Sequence, residues 1–182
     1  MIKRDDVIGM NNRERMALLR AGHAIAPAAL DNFAYRGISL GLPKLVERLT
    51  WTTFQKTFYR DPATGHLRGW NVRVEQRGLD AETVPKMKHG IPFTFGHYRV
   101  IAPSEVRVPD GCDRGLVIHY GLGGNAAIDP INRGRDPLVA LNEGDASLLL
   151  GWTYLDVFGL LVSTPSFFLL EREHPIAHVA TP

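Results

Sequence analysis

Hydrophobic positions along this chain follow two different periods. Between Asn12 and Leu30 they recur as Met16, Leu19, His23 and Ala26, with Leu18, Ile25 and Ala29 widening the stripe, which is the spacing of one helical face. Asn11 or Asn12 can cap the start of that helix, and Pro27, which lacks an amide proton, kinks or ends it. A shorter helix is predicted from Pro43, with Leu45, Val46 and Leu49 on its apolar side. From Trp51 onward the pattern changes to short runs rich in aromatic and β-branched residues, each bounded by turn chemistry. Residues 51–60, the turn Asp61-Pro62-Ala63-Thr64-Gly65 and residues 66–76 read as a hairpin, in whose second arm Trp70, Val72 and Val74 alternate with Asn71, Arg73 and Glu75. Further strands are predicted over 93–102, 115–122, 137–142, 147–156 and 167–172, and one over 34–40 precedes the hairpin. Close turns at 109–111 and 143–145 favour antiparallel pairing. About eight short antiparallel strands dispose of their edges by closing, so the expected fold is mainly β, an up-and-down barrel with an N-terminal helix.

Length and charge narrow the classes. At 182 residues the chain has room for a single domain over 1–182: a helix at 12–30, a barrel at 34–173 and a tail at 174–182. A hydrophobic share of 45% excludes disorder, and a net charge of +2 leaves no basic footprint for nucleic acid. Cys112, the single cysteine, has no intrachain disulfide partner, and the charged start MIKRDDVIGMNNRERM lacks the apolar core of a secretory signal, so the expected location is cytoplasmic. The uncharged run 147–170 is long enough to span a bilayer, but Asp156, Gly159 and the Ser163-Thr164-Pro165-Ser166 turn divide it into two strand-sized pieces, so no membrane span is expected. The connections 78–90 and 121–136 are longer than hairpins need, as loops that cover a site or move are, and the Gly121-Leu122-Gly123-Gly124 run that opens the second is read as a flexible lid.

The helix, the segment Tyr35-Arg36-Gly37-Ile38-Ser39-Leu40-Gly41, the meander and the closing Phe167-Phe168-Leu169-Leu170-Glu171-Arg172 together resemble the lipocalin-like (calycin) barrels and their bacterial relatives of unknown function. In those families an arginine on the last strand packs over a tryptophan on the first. Arg172 is similar to that arginine, while the first strand offers Tyr35 or Ile38 near Gly37 and no tryptophan. The resemblance implies a small-molecule cavity inside the barrel.

Strand parity assigns an interior face of Phe54, Phe58, Trp70, Val72, Val74, Val100, Leu116, Ile118, Leu122, Leu148, Leu150 and Trp152, with Tyr98, Tyr120 and Tyr154 in the same registers. Phenols inside such a cavity orient a ligand or act as weak acids; at a barrel rim they only reach solvent. A one-residue bulge would instead turn Phe93, Phe95, His97, Arg99 and Ile101 inward, and His119 next to Tyr120 is subject to the same exchange. Asn71, Arg73 and Glu75 read as a solvated exterior, or as a catalytic wall if the polar side faces in. The candidate catalytic residues are therefore Tyr98, His97 and Tyr120. The candidate ligand-binding residues are Phe54, Phe58, Trp70, Val72, Val100, Ile118, Trp152 and Tyr154.

No metal is expected, because Pro175 breaks the only close histidine pair, His174 and His178. Gly121-Leu122-Gly123-Gly124 matches no phosphate loop, and Cys112 has no accompanying nucleophile motif. Three functions fit: a cofactor-free binding protein for a hydrophobic small molecule; a cofactor-independent cyclase, isomerase or hydratase acting on a polyketide- or terpene-like intermediate in the same cavity; or, if large side chains leave no cavity, an interaction module that acts through its surface. A homodimer is compatible with each.

Overall fold

The computed structural model describes residues 1–41 and 52–182. The helix expected from Pro43 and the strand residue Trp51 lie outside the described residues. Two helices open the chain, α1 (Arg4–Ile8) and α2 (Asn12–Ala21). Asn11 caps the second: its side chain accepts from the Arg13 and Glu14 amides, and the Glu14 carboxylate accepts from the Asn11 amide. The helix is shorter than its hydrophobic stripe. Gly22 ends it where the backbone passes so close to Val139 that a Cβ would lie 2.4 Å from that side chain, and Pro27 starts a separate 3-10 turn, Pro27–Leu30.

Ten strands follow among the described residues: β1 (Phe33–Leu40), β2 (Thr53–Arg60), β3 (Leu67–Val72), β4 (Met87–Lys88), β5 (Ile91–Pro92), β6 (Thr94–Ile101), β7 (Leu116–His119), β8 (Gly134–Asn142), β9 (Asp145–Val157) and β10 (Leu160–Pro175). Eight of them close an antiparallel barrel in which β1, β2, β3, β6, β7, β8, β9 and β10 each pair with their chain neighbours and β10 pairs back onto β1. β4 and β5 form a separate ladder inside the long connection 78–90 and its continuation. The β2–β3 turn is as its residues demand: the Asp61 side chain accepts from the Ala63 amide, and Gly65 supplies a φ of 71°. The apolar run 147–170 becomes most of the β9–β10 pair. No helix among the described residues is long and apolar enough to cross a membrane.

Apolar side chains sort into an inner core and two outer layers. The inner core includes Tyr35, Phe54, Phe58, Tyr98, Ile118, Tyr120, Leu138, Leu149 and Phe168. An outer layer of Leu19, Ile38, Cys112, Val139, Leu148, Leu150, Trp152 and Tyr154 lies beneath the N-terminal helices. A smaller one puts Trp70 and Val72 beneath Ile176 and Ala180 of the C-terminal tail.

One end of the barrel is plugged. Ile25 and Leu30, around the 3-10 turn, pack into the inner core, and Arg172 crosses the same end. Its guanidinium lies 4.7 Å from the Phe33 ring centroid and 5.7 Å from that of Tyr35, and it donates to the Tyr35 hydroxyl at 3.0 Å and the Ala29 carbonyl at 2.6 Å. The arginine thus ties the first strand, the last strand and the 3-10 turn together.

Candidate functional site

The opposite end, where β1, β3, β7 and β9 finish, holds a pocket of about 290 Å³. Phe54, Phe168, Leu155 and Ile131 make apolar walls, and Lys56, Asn71, Tyr120, Asp136 and Thr153 make a polar one. Lys56 reaches this wall because β2 is regular: Phe54, Lys56 and Phe58 alternate onto the inner face.

Lys56 and Asp136 are only 2% and 1% exposed. The Lys56 ammonium donates to Asn71 Oδ1 at 3.0 Å, to the Tyr120 hydroxyl at 2.6 Å and to Asp136 Oδ2 at 3.5 Å. Tyr120 in turn donates to Asp136 Oδ2 at 3.0 Å, and the Thr153 hydroxyl donates to Oδ1 at 2.8 Å. Asn71 is oriented by donating to the Gly96 carbonyl at 3.0 Å. Aromatic rings enclose the same ammonium, with centroids 5.0 Å away for Tyr98 and Phe168, 5.1 Å for Tyr120 and 5.8 Å for Phe54.

Inward-facing glycines admit these rings. A Cβ at Gly37 would lie 2.3 Å from the Phe54 ring, one at Gly151 would lie 2.1 Å from the Phe168 ring, and one at Gly69 would lie 2.6 Å from the Tyr98 ring. The aromatic box therefore exists because the strands across from it carry no side chain at those three places.

Burial pulls both members of the ion pair toward their uncharged forms. It holds Lys56 below the usual lysine value, opposed by the Asp136 charge, and lifts Asp136 above the usual carboxylate value, opposed by Lys56. Burial, reinforced by Asp136, also raises Tyr98 and Tyr120 well above an ordinary phenol. Lys56 can give up a proton and Asp136 take one, while Tyr120, held protonated, stands between them as a relay.

The expected residues divide between the two sides of the barrel. Tyr120 and Phe54 line the pocket. Tyr98 is inside, closing the box around Lys56, with its hydroxyl donating to the Thr57 carbonyl at 2.7 Å. Phe58, Ile118 and Val100 belong to the inner core and lie outside the pocket lining. His97, Trp70, Val72, Trp152 and Tyr154 require correction: all five lie outside the inner core. Trp70 and Val72 lie under the tail; Trp152 and Tyr154, with Leu148 and Leu150, lie under the helices, where the Trp152 Nε1 donates to the Thr164 carbonyl and the Tyr154 hydroxyl to the Arg107 carbonyl. Leu122 is exposed. Both faces of β3 and β9 are buried, so hydrophobicity along them does not mark the inner one.

A bulge decides the region of His97. Gly69 pairs with Tyr98 and Asn71 with Phe95, so β6 carries one extra residue there, at Gly96 with φ 54°. Phe95 and Tyr98 consequently both face inward. His97, 8% exposed, turns out against Trp70, with ring centroids 6.2 Å apart, and burial followed by nearby Arg68 holds its pKa down. Asn71 faces the pocket, so of its two readings the inward one holds for this residue and the solvated exterior does not. The connection that opens with the run read as a flexible lid is pinned: Asn125 accepts from the His97 amide and donates to the His97 and Tyr120 carbonyls, while Ile131 of that connection walls the pocket.

Lys56, Asp136 and Thr153 are not singled out by the sequence reading. For Lys56 the signal was present, since it sits two residues from both Phe54 and Phe58. Asp136 was hidden because Pro137 marked the expected strand start, whereas β8 begins at Gly134. Among the described residues there is no group of three or more histidine, cysteine, aspartate or glutamate side chains placed to hold a metal.

His119, beside this wall, is pulled down from 6.5 to about 4, first by burial and then by Arg135. Between those values the unfolded chain binds a proton that the folded chain does not. Stability is therefore expected to fall as pH drops from about 6.5 towards about 4. Urea midpoints across that range, compared with a His119→Gln variant, check this. An identical pH dependence in the variant would remove His119 as the cause.

No family model, curated protein or solved structure matches this chain.

Proposed function

We propose that this protein binds a small, largely apolar molecule in the mouth of the barrel and orients it through one oxygen acceptor facing Lys56 and Tyr120. The observation that carries this reading is the buried Lys56–Tyr120–Asp136 network forming one wall of an otherwise aromatic and aliphatic pocket. A buried ion pair is weak evidence for a stabilising role, because hydrophobic side chains of similar volume often serve stability as well or better. Placed at a pocket, the same pair supplies the few converging polar groups that fix a ligand's orientation. At about 290 Å³ the pocket lies just below the range of drug-sized ligand sites, roughly 300–1,000 Å³, and suits a small molecule. The lipocalin-like reading is supported by Arg172, which packs over first-strand aromatic rings and reaches the 3-10 turn. A second reading is favoured by the Tyr120 bridge between Lys56 and Asp136: acid–base turnover of the bound molecule by a cofactor-independent cyclase or isomerase.

Native mass spectrometry followed by solvent extraction identifies any retained ligand. In parallel, an apolar fluorescent probe such as N-phenylnaphthylamine is titrated into the protein and a Leu155→Trp variant, whose new ring fills the pocket. The expected result is a Kd raised about tenfold or more in the variant, a loss of roughly 1.4 kcal/mol. Equal probe affinity in a folded variant would place binding elsewhere and overturn the reading.

A further inference from the structure

We propose that Lys56 captures an aldehyde or ketone covalently, as an iminium held inside the aromatic box with Asp136 as its counter-ion. The inference rests on the binding reading above and names the class of molecule that the pocket takes. Three observations carry it. The Lys56 side chain is almost wholly buried yet lines the pocket, and its amine bonds to Asn71, Tyr120 and Asp136, which line the same pocket and shield it from bulk water. A hydroxyl and a carboxylate stand in series beside the amine, Tyr120 at 2.6 Å and Asp136 at 3.5 Å, with 3.0 Å between those two groups. The four surrounding rings favour a cation at the position of the nitrogen before and after reaction.

The proton balance closes within these groups. The ammonium passes one proton to the Asp136 carboxylate, directly or through the Tyr120 hydroxyl. The neutral amine attacks the carbonyl carbon; a C–N bond forms, the carbonyl π bond breaks, and the oxygen takes the proton held by Asp136. Asp136 then removes a proton from the nitrogen and returns it, through Tyr120, to the departing hydroxyl. The C–O bond breaks, water leaves, and the nitrogen lone pair completes the C=N bond. The sum is an ammonium and a carbonyl giving an iminium and water, with Asp136 a carboxylate at both ends. Burial, which holds Lys56 below the usual lysine value, favours the first transfer.

The test uses naphthaldehyde with sodium cyanoborohydride, which reduces an iminium to a stable secondary amine, followed by peptide mapping of the intact chain. Five lysines make the readout internal, because Lys3, Lys44, Lys86 and Lys88 compete in the same tube. The expected result is one label per chain, carried by Lys56 at about ten times or more the level of any other lysine. A Lys56→Arg variant keeps the charge and removes the nucleophile, and is expected to lose that label. Naphthylmethanol, which has the same ring and no carbonyl, is run in parallel as a competitor of the fluorescent probe. Displacement of the probe by the alcohol with no selective label on Lys56 would overturn the covalent step and leave the binding reading standing. Label spread evenly over the lysines, with no displacement by alcohol or aldehyde, would overturn both.

Discussion

Replacing Lys56 by methionine is expected to destabilise the protein by about 3–5 kcal/mol at neutral pH, the usual cost of removing one partner of a buried ion pair. Methionine fills similar space, so little of this comes from a cavity. The cost comes from Asp136, which keeps its bonds from Tyr120 and Thr153 but loses its counter-charge in a site where it is 1% exposed. Without Lys56, the one group among the described residues that opposes by direct charge the burial lifting Asp136 is gone, and its folded pKa rises further. An acid whose folded value lies above its unfolded value binds more protons when folded. The variant should therefore be most stable at low pH and lose stability as pH rises from about 4 through the raised value. Urea denaturation at several pH values tests this. The double variant Lys56→Met, Asp136→Asn should recover most of the loss and keep over the same range only the dependence assigned to His119, since an amide oxygen still accepts from a neighbouring hydroxyl. A loss below about 1 kcal/mol in the single variant would mean that the pair is hydrated and that the wall is not the low-dielectric site described above.

Replacing Trp70 by alanine is expected to cost about 3–5 kcal/mol as well, for a different reason and with the pocket untouched. Trp70 is 1% exposed, packed against Val72, Tyr59 and Ala180, with Arg68 over its ring at 5.5 Å. Removing it opens a void between barrel and tail. Because its side chain is on the outer face, the affinity for an apolar probe should change by less than about twofold while the urea midpoint falls. Loss of probe binding in a folded Trp70→Ala protein would return this residue to the interior and reverse the assignment of β3. Together the two variants separate the function of the barrel's inside from the stability of its outside.

The chemistry of the inner wall joins these expectations to the proposals. Asp136, which makes Lys56 costly to remove, is also the group that with Tyr120 would move the proton of a bound carbonyl. The cost of breaking this pair and its reactivity have one cause, the exclusion of water from a charged pair.

The order of strands, their antiparallel pairing, the β2–β3 turn and the N-terminal helix were legible in the sequence alone. They depend on local properties: period, β-branching, proline and glycine at turns, and an asparagine able to cap. Phe54, Phe58, Tyr98 and Tyr120 were likewise legible as interior. Which face of β3, β6 and β9 turns inward was decided by tertiary structure. On β3 and β9 the tail and helices bury the outer face, so both faces are apolar and parity loses its reference. On β6 a single extra residue at Gly96 exchanges His97 for Tyr98. The polar wall was decided at the same level, because Lys56, Asn71, Asp136 and Thr153 come from β2, β3, β8 and β9 and meet only when the barrel closes. Each of these residues is ordinary in its own segment, and burial beside the others is what makes it chemically distinct.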